Sequence, residues 1–279
     1  MAGPSTPIGV FDSGVGGLTV LKALRERLPG EDFLYLGDTA RLPYGTKSPS
    51  TVERYAVNAA RHLVDGGIKL LVVACNTASS YALEALATAC PVPVVGVVEP
   101  GVRAAVASGA GRIGVIGTEG TIRSEAYQRA LRQAAPGVAV FSAACPLFVP
   151  LAEEGWTTGA VAEEVARTYL AAFEGTDVDT LILGCTHYPL LVDTITTAFE
   201  EITHHDVQVL DSASATAEAL AQELDQRGLH NVEGAQNLRF CATDDPSRFQ
   251  ETASRFFGAA LGPVEHVDIL DVTMNETLT

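Results

Sequence analysis

The sequence predicts an α/β protein in which mainly parallel sheets are flanked by helices. Short apolar runs rich in β-branched residues alternate with amphipathic stretches along all 279 residues, and this alternation is typical of βαβ units. Two short segments recur in the second half of the chain, which favours two related halves. Hydrophobic residues make up 47% of the chain and charged residues 19%, so a substantial core can form.

The strands are predicted at apolar runs of three to seven residues, and the helices at stretches with apolar residues three and four apart. Leu18, Leu21, Leu24 and Leu28, for example, form one such helical stripe, which Pro29-Gly30 ends. The predicted strands are 8–11, 33–37, 70–74, 92–98, 112–117, 138–142, 180–184, 208–210 and 238–242. The predicted helices include 13–28, 51–65, 79–90, 123–135, 158–173 and 212–228.

The internal repeat consists of two pairs of segments. Residues 8–14 parallel residues 113–119 at an offset of 105, and residues 71–77 parallel residues 181–187 at an offset of 110. A duplication would make Cys75 and Cys185 equivalent and would let each half present one cysteine to a shared cleft. Chance similarity between strand-turn-helix units is the alternative, and the sequence leaves it open.

Charge and composition exclude several classes of function. The net charge of −16 repels nucleic acid and anionic membranes over any broad contact. Apolar runs such as 92–98 are far shorter than the roughly 20 residues of a membrane helix, and residues 1–7 lack the features of a secretory signal. We therefore expect no nucleic-acid partner, no membrane insertion and a cytoplasmic location. The five scattered cysteines predict neither a disulfide framework nor a metal site.

Cys75 and Cys185 are the strongest candidates for chemistry. Each follows an apolar strand at its carboxyl end, where open α/β sheets bind ligands, and each precedes residues that can begin a helix. A helix N-terminus lowers the pKa of a thiol, which favours reactive thiolates. Burial as structural cysteines is the alternative reading.

Other candidates lie at further strand ends. The turn Asp12-Ser13-Gly14-Val15-Gly16-Gly17 allows close backbone approach to a ligand, but it matches neither a dinucleotide fingerprint nor a P-loop. Its Asp12 and Ser13 can equally cap a helix. His187 and Glu153 can assist proton transfer at the thiols, whereas the loop 37–45 reads by itself as a surface turn.

Taken together, these segments resemble the glutamate racemase family over essentially the whole chain. The matching segments are 11–17, 37–45, 74–78, 98–101, 153–155 and 184–189. The resemblance implies a cofactor-independent racemase that forms a homodimer and supplies D-glutamate for bacterial peptidoglycan. It also implies two pseudo-symmetric domains, residues 1–98 with 211–279 and residues 99–210, with the active site in the cleft between them.

The resemblance also implies roles for individual residues. Cys185 removes the α-proton of L-glutamate and Cys75 that of D-glutamate, with Asp12 and His187 assisting the thiols. Glu153 is a third acid, although the neighbouring Glu154 can take this role instead. The implied substrate contacts are Asp12, Ser13, Pro43, Tyr44, Gly45, Asn76, Thr77, Thr186 and His187.

The paired thiols fit this chemistry, because inversion of an α-carbon requires one group to remove a proton and another to return one on the opposite face. Three alternatives remain open at this stage. A related racemase can use the same thiols on aspartate. The fold can also serve as a non-catalytic module that binds an anionic metabolite. A hydrolase with a cysteine nucleophile would form a covalent intermediate.

Overall fold

The computed structural model describes residues 3–269, which form two parallel sheets flanked by helices. This architecture confirms the predicted fold class. The strands in these residues are β1 (Ile8–Asp12), β2 (Phe33–Gly37), β3 (Leu70–Val73), β4 (Val94–Gly96), β5 (Arg112–Gly117), β6 (Ala139–Ala144), β7 (Thr180–Gly184), β8 (Gln208–Asp211), β9 (Leu238–Ala242) and β10 (Val264–His266).

Helices connect most of the strands, as expected for right-handed βαβ crossovers. The α-helices of the described residues are α1 (Leu18–Arg27), α2 (Pro49–Asp65), α3 (Asn76–Tyr81), α4 (Leu83–Ala89), α5 (Val98–Ala107), α6 (Glu119–Ser124), α7 (Ala126–Ala134), α8 (Phe148–Glu154), α9 (Ala160–Leu170), α10 (Val192–Thr203), α11 (Ser212–Arg227) and α12 (Pro246–Phe257).

The two sheets share a strand order. The larger sheet runs β10, β9, β2, β1, β3, β4 and the smaller runs β6, β5, β7, β8. In each sheet the first strand of its half lies between the second and the third, and the fourth follows the third. The repeated segments found in the sequence fall on β1 and β5 and on β3 and β7, which occupy equivalent places. The repeat therefore coincides with a shared topology.

The central strands β1, β3 and β7 are buried at every residue, which explains why they are almost continuously apolar rather than alternating. Ile8 and Val10 of β1 belong to the core that includes the leucines of α1, whereas Phe11 belongs to the core that includes Val52 of α2. In the smaller sheet Ile113 packs with α5 and α7. Helices therefore pack on the faces of the sheets, which leaves the carboxyl edges of the strands to carry a site.

Several predicted boundaries were wrong for local reasons. Helix α1 begins at Leu18 because the glycine-rich turn before it is not helical. The helix predicted over 123–135 is two helices, since Glu125 adopts a left-handed conformation with φ of 55°. The helix predicted from Ser79 begins at Asn76 and is interrupted at Ala82. The predicted strand 92–98 shrinks to β4, because α5 begins at Val98.

No helix within residues 3–269 combines the length and the apolar character needed to cross a membrane.

Candidate active site

A cavity of about 300 Å³ opens where the carboxyl ends of β1, β3, β5 and β7 meet. This volume is at the lower end for small-molecule sites. All the predicted site residues except Asp12 line this cavity. Glu154, the alternative to Glu153, does not line it. The wall consists of Ser13, Gly14, Leu42, Pro43, Tyr44, Gly45, Thr46, Cys75, Asn76, Thr77, Thr118, Glu119, Pro146, Val149, Pro150, Glu153, Cys185, Thr186 and His187.

The two cysteines reach this cavity from different sheets, and each is only 6% exposed. Cys75 follows β3 and immediately precedes α3, where its sulfur accepts a hydrogen bond from the Ala78 N–H at 3.5 Å. The Cys75 thiol donates to the Ser13 hydroxyl at 3.5 Å. Cys185 follows β7, and its sulfur lies 3.9 Å from Nδ1 of His187. The two thiols therefore face one small space but have different partners.

Burial, rather than the helix terminus, controls the acidity of Cys75. Burial, and after it the charge of the nearby Asp12 carboxylate, raise the pKa of Cys75 to about 12, against hydrogen bonds with Ser13 and Ala78 that lower it. The lowered pKa expected from the sequence was wrong for Cys75. This side chain is therefore a neutral thiol near pH 7, ready to donate a proton.

His187 lies between Cys185 and Glu153. Its Nε2 is 3.0 Å from Oε1 of Glu153, and its ring packs edge-on against Phe256 at 5.1 Å. Burial by itself would lower the pKa of His187, but the hydrogen bonds to Cys185 and Glu153 outweigh it and raise this pKa to about 10. The ring is therefore an imidazolium near neutral pH, and it places a positive charge beside the Cys185 sulfur.

The raised pKa of His187 predicts a pH-dependent contribution to folding. A raised folded-state pKa contributes stability that is complete below the unfolded value of about 6.5 and is lost as the pH rises through the folded value near 10. The free energy of unfolding of the wild type should therefore exceed that of His187→Asn by more at pH 6.5 than at pH 10. Guanidinium unfolding curves at both pH values measure this difference. A constant difference would contradict the assigned protonation, because packing losses alone do not change with pH.

The structure distinguishes Glu153 from Glu154. Glu153 lines the cavity and binds His187, whereas Glu154 lines a neighbouring groove and does not reach the cavity. The main-chain oxygen of Glu153 accepts a hydrogen bond from Arg255 of α12, which anchors the end of α8. The geometry therefore favours Glu153 as the carboxylate that supports His187.

We predict that Glu153→Gln lowers kcat, whereas its matched neighbour Glu154→Gln stays within twofold of the wild type. Loss of a charged hydrogen bond to the imidazolium costs about 1.5 to 3 kcal/mol, which corresponds to a fall of roughly tenfold or more. Steady-state rates of both variants, measured from either enantiomer of the substrate, test this. Equal losses in the two variants would show that the effect is local charge and not the contact with His187.

Asp12 lies behind the cavity wall and is fully buried. Its Oδ2 accepts a hydrogen bond from the Gly14 N–H at 2.9 Å, and its Oδ1 accepts none from the described residues. Burial raises the pKa of Asp12, opposed by the charge of His187 and by backbone N–H groups of the turn. The predicted contact between Asp12 and the substrate stays a prediction.

The loop that carries Tyr44 and Gly45 is fixed by Asp38. This buried carboxylate accepts hydrogen bonds from the Tyr44 hydroxyl at 2.6 Å, from the Thr243 hydroxyl at 2.9 Å and from Arg41 at 2.8 Å. Thr243 directly follows β9, so the C-terminal part of the chain holds a loop that lines the cavity. The loop is thus an ordered part of the site rather than the surface turn that its composition suggested.

Thr118 and Thr121 were not among the site residues predicted from the sequence. Their hydroxyls form a triangle with the Thr77 hydroxyl, with sides of 2.9, 3.1 and 3.1 Å. Thr118 lines the cavity, and Thr121 lies behind it. The repeat carried a signal for Thr118, because the 105-residue offset maps Ser13 onto it.

The described cavity wall offers hydrogen-bonding groups, rather than basic side chains, to an anionic ligand. None of the described residues that line the cavity is lysine or arginine, so His187 supplies the positive charge. Within residues 3–269, no group of three or more His, Cys, Asp or Glu side chains is arranged to hold a metal ion.

Comparisons with known proteins agree with this geometry. The model of the Asp/Glu/hydantoin racemase family matches residues 8–220. The chain is 53% identical to the glutamate racemase of Geobacter metallireducens, over 95% of this chain and 98% of that protein.

Solved structures of two further relatives superimpose on nearly the whole chain. The glutamate racemase of Francisella tularensis in complex with D-glutamate has a TM-score of 0.89 at 37% identity, covering 95% of this chain and 98% of that one. The glutamate racemase of Thermus thermophilus in complex with β-chloro-D-alanine has a TM-score of 0.86 at 47% identity, covering 97% and 100%.

Two parallel α/β sheets that present one cysteine each to a shared cavity are the framework of an amino-acid racemase, an isomerase. The resemblance inferred from the sequence is confirmed. The chain belongs to the Asp/Glu/hydantoin racemase family.

Proposed function

We propose that this protein interconverts L- and D-glutamate by proton transfer between two thiols, without a cofactor, and supplies D-glutamate for peptidoglycan synthesis. The observation that carries the proposal is the pair of equivalent cysteines, Cys75 and Cys185, in the wall of one small cavity. The glutamate racemases among its relatives, and the D-glutamate bound in one of them, support glutamate as the substrate.

The reaction balances with these two groups alone. From L-glutamate, the Cys185 thiolate removes the α-proton, and the Cys75 thiol donates a proton to the opposite face of the carbanion. Cys185 ends as the thiol and Cys75 as the thiolate, so the protein is then ready for D-glutamate. The neutral Cys75 and the imidazolium beside Cys185 match the form of the protein that accepts the L enantiomer.

Substrate binding is assigned to the polar groups around the thiols. Ser13, Asn76, Thr77 and Thr186 offer hydroxyl and amide groups to the carboxylates, and the loop Pro43-Tyr44-Gly45 closes one side. Preorganised donors of this kind stabilise charge that develops at the carboxylate as the proton leaves. Asp12 lies close enough to influence the pKa of Cys75, which supports its role as the helper of that thiol. The imidazolium of His187 helps Cys185.

The domain boundaries, the homodimer and the cytoplasmic location belong to the same proposal. Pairing of β9 with β2 in the larger sheet supports a first domain formed by residues 1–98 with 211–279. The packing of α11 against α1 supports it as well. Residues 1–2 and 270–279 of that domain lie outside the described residues. The second domain, residues 99–210, contains the smaller sheet apart from the last residue of β8.

The test is exchange of the α-proton in deuterated water. With chelator present and no added cofactor, the reduced protein should incorporate deuterium into L-glutamate and D-glutamate, detected by NMR, while the optical activity decays to zero. L-Aspartate run in parallel identifies a racemase of the other substrate. Persistent optical activity of glutamate with folded protein would refute the proposal.

A further inference from the structure

Two contacts bring the halves of the molecule together beside the thiols. On one side, Gly16 of the first turn lies so close to Thr186 and His187 that an added Cβ would overlap the threonine hydroxyl and the imidazole ring. On the other side, Thr121 of α6 places its hydroxyl 3.1 Å from that of Thr77. In each contact, a residue that follows the first strand of one half meets residues just after the cysteine of the other half.

The internal repeat relates these two contacts. The offset of 105 residues maps Gly16 onto Thr121, and the offset of 110 maps Thr77 onto His187. The Gly16 and His187 pair is therefore the counterpart of the Thr121 and Thr77 pair. In each pair the two residue types suit each other. Gly16 leaves space for the His187 ring, whereas Thr121 fills the equivalent space and forms a hydrogen bond with Thr77.

Each contact acts on the neighbouring thiol through a short path. Thr77 lies in the first turn of α3, next to Ala78, whose N–H donates to the Cys75 sulfur. A fixed Thr77 therefore fixes the donor to Cys75. Across the site, the space at Gly16 keeps the imidazole of His187 within 3.9 Å of the Cys185 sulfur. The Thr19 hydroxyl, which donates to the main-chain oxygen of Thr186 at 3.0 Å, holds the same turn in place.

We propose that Thr121 is a positioning residue that acts through Thr77 on Cys75, and that Gly16 is its counterpart, which leaves His187 the space to act on Cys185. Thr121 does not line the cavity, so its effect is transmitted through Thr77. The proposal deepens the function proposed above and rests on it for the assignment of one thiol to each enantiomer.

The first test uses Thr121→Val, which keeps the shape of the side chain and removes its hydroxyl. Loss of one buried hydrogen bond should lower kcat about fivefold to tenfold. Proton removal by Cys75 should become more rate-limiting. The primary isotope effect with D-[2-²H]glutamate should therefore rise relative to that with the L enantiomer. Thr121→Ser should restore both values to within twofold. Thr203→Val, which removes a helical hydroxyl on α10, is the matched control.

The second test uses Gly16→Ala, in which the added methyl group displaces the His187 ring. The difference between the two enantiomers should be the reverse of that in Thr121→Val. The primary isotope effect should rise with L-[2-²H]glutamate relative to the D enantiomer. Gly101→Ala is the matched control, because a Cβ there meets no atom closer than 3.6 Å. Circular dichroism of each variant verifies the fold, and if Gly16→Ala does not fold, the Thr121 variants decide the proposal alone.

Alkylation by iodoacetamide, followed for each cysteine by mass spectrometry, tests the same contacts without turnover. Cys75 should react more slowly in Thr121→Val, because a poorly placed Ala78 N–H no longer lowers its pKa. Cys185 should react more slowly in Gly16→Ala, because the imidazolium moves away from its sulfur. Each change is measured relative to the other thiol. This readout remains informative if the wild type fails to racemise glutamate, so the two proposals fail separately. Unchanged alkylation in Thr121→Val, equal changes of both isotope effects, or no rescue by Thr121→Ser would overturn the positioning role.

Discussion

Replacement of either Cys75 or Cys185 by alanine is expected to stop racemisation of glutamate from both enantiomers. Each turnover needs one thiol to remove a proton and the other to supply one, so a single remaining thiol completes neither direction. Loss of a general acid or base costs about 10² to 10⁴ in rate, and loss of the only group on one face puts these variants at or beyond the upper end. Polarimetry with each enantiomer measures the effect.

The control for these variants is Cys241→Ala. Cys241 is a buried cysteine of β9 that does not line the cavity, so its truncation tests the cost of removing a buried thiol. This variant should retain the wild-type rate, and all three should keep the wild-type circular dichroism spectrum. Near-normal turnover by either Cys75→Ala or Cys185→Ala would refute the two-thiol mechanism.

Exchange of the α-proton separates the two halves of the reaction. The Cys75→Ala variant retains Cys185, so it can still take the α-proton from L-glutamate and return a deuteron to the same face. Slow exchange without inversion is therefore expected from L-glutamate in deuterated water, and little from D-glutamate. The reverse pattern is expected for Cys185→Ala. Exchange from the unexpected enantiomer would reverse the assignment of the thiols while leaving the two-thiol mechanism intact.

The second large effect is expected from the two helpers. Substitution His187→Asn removes the imidazolium beside Cys185 and should depress kcat about 10- to 100-fold, more strongly from L-glutamate. Substitution Asp12→Asn should depress kcat more strongly from D-glutamate. The equilibrium constant of unity fixes the ratio of kcat/KM in the two directions, so the asymmetry must appear in kcat and KM together.

Both variants should be assayed in both directions at the same pH. Glu153→Gln offers an internal comparison, because it weakens the hydrogen bond to His187 without removing the imidazole ring. Its loss of kcat should be smaller than that of His187→Asn and should likewise be greater from L-glutamate. Equal losses of kcat from the two enantiomers would reject the directional assignment and leave a symmetric electrostatic role for the two side chains.

Local pattern was sufficient to predict much of the fold and part of the site. The alternation of apolar runs identified β2, β5, β7 and β9 with their observed bounds, because strands buried on both faces are mostly apolar, even where one residue such as Arg239 is exposed. Cys75 and Cys185 could be singled out because chemistry in α/β proteins concentrates where strands end. The resemblance to a known family then added residues that spacing alone could not supply, such as Tyr44 and Gly45, which line the cavity.

Features that depend on tertiary packing could not be predicted from local sequence pattern. The pKa of Cys75 follows from burial, which outweighs the first turn of a six-residue helix. The choice between Glu153 and Glu154 depends on the rotation of α8 about its axis. The hydroxyl triangle around Thr77 joins α3 to α6 across the cleft. Residues far apart in sequence build each of these features.

The absence of lysine and arginine among the described residues of the cavity wall has a kinetic consequence. Glutamate carries one net negative charge, and it must approach a protein whose net charge is −16 to reach a cavity whose described lining carries positive charge on His187 alone. Added salt shortens the Debye length from about 30 Å at 0.01 M to about 8 Å at 0.15 M, which screens this repulsion. Substrate capture should therefore quicken as ionic strength rises, the reverse of enzymes that draw anions in with basic clefts, and kcat/KM measured across a salt series should rise where capture limits turnover.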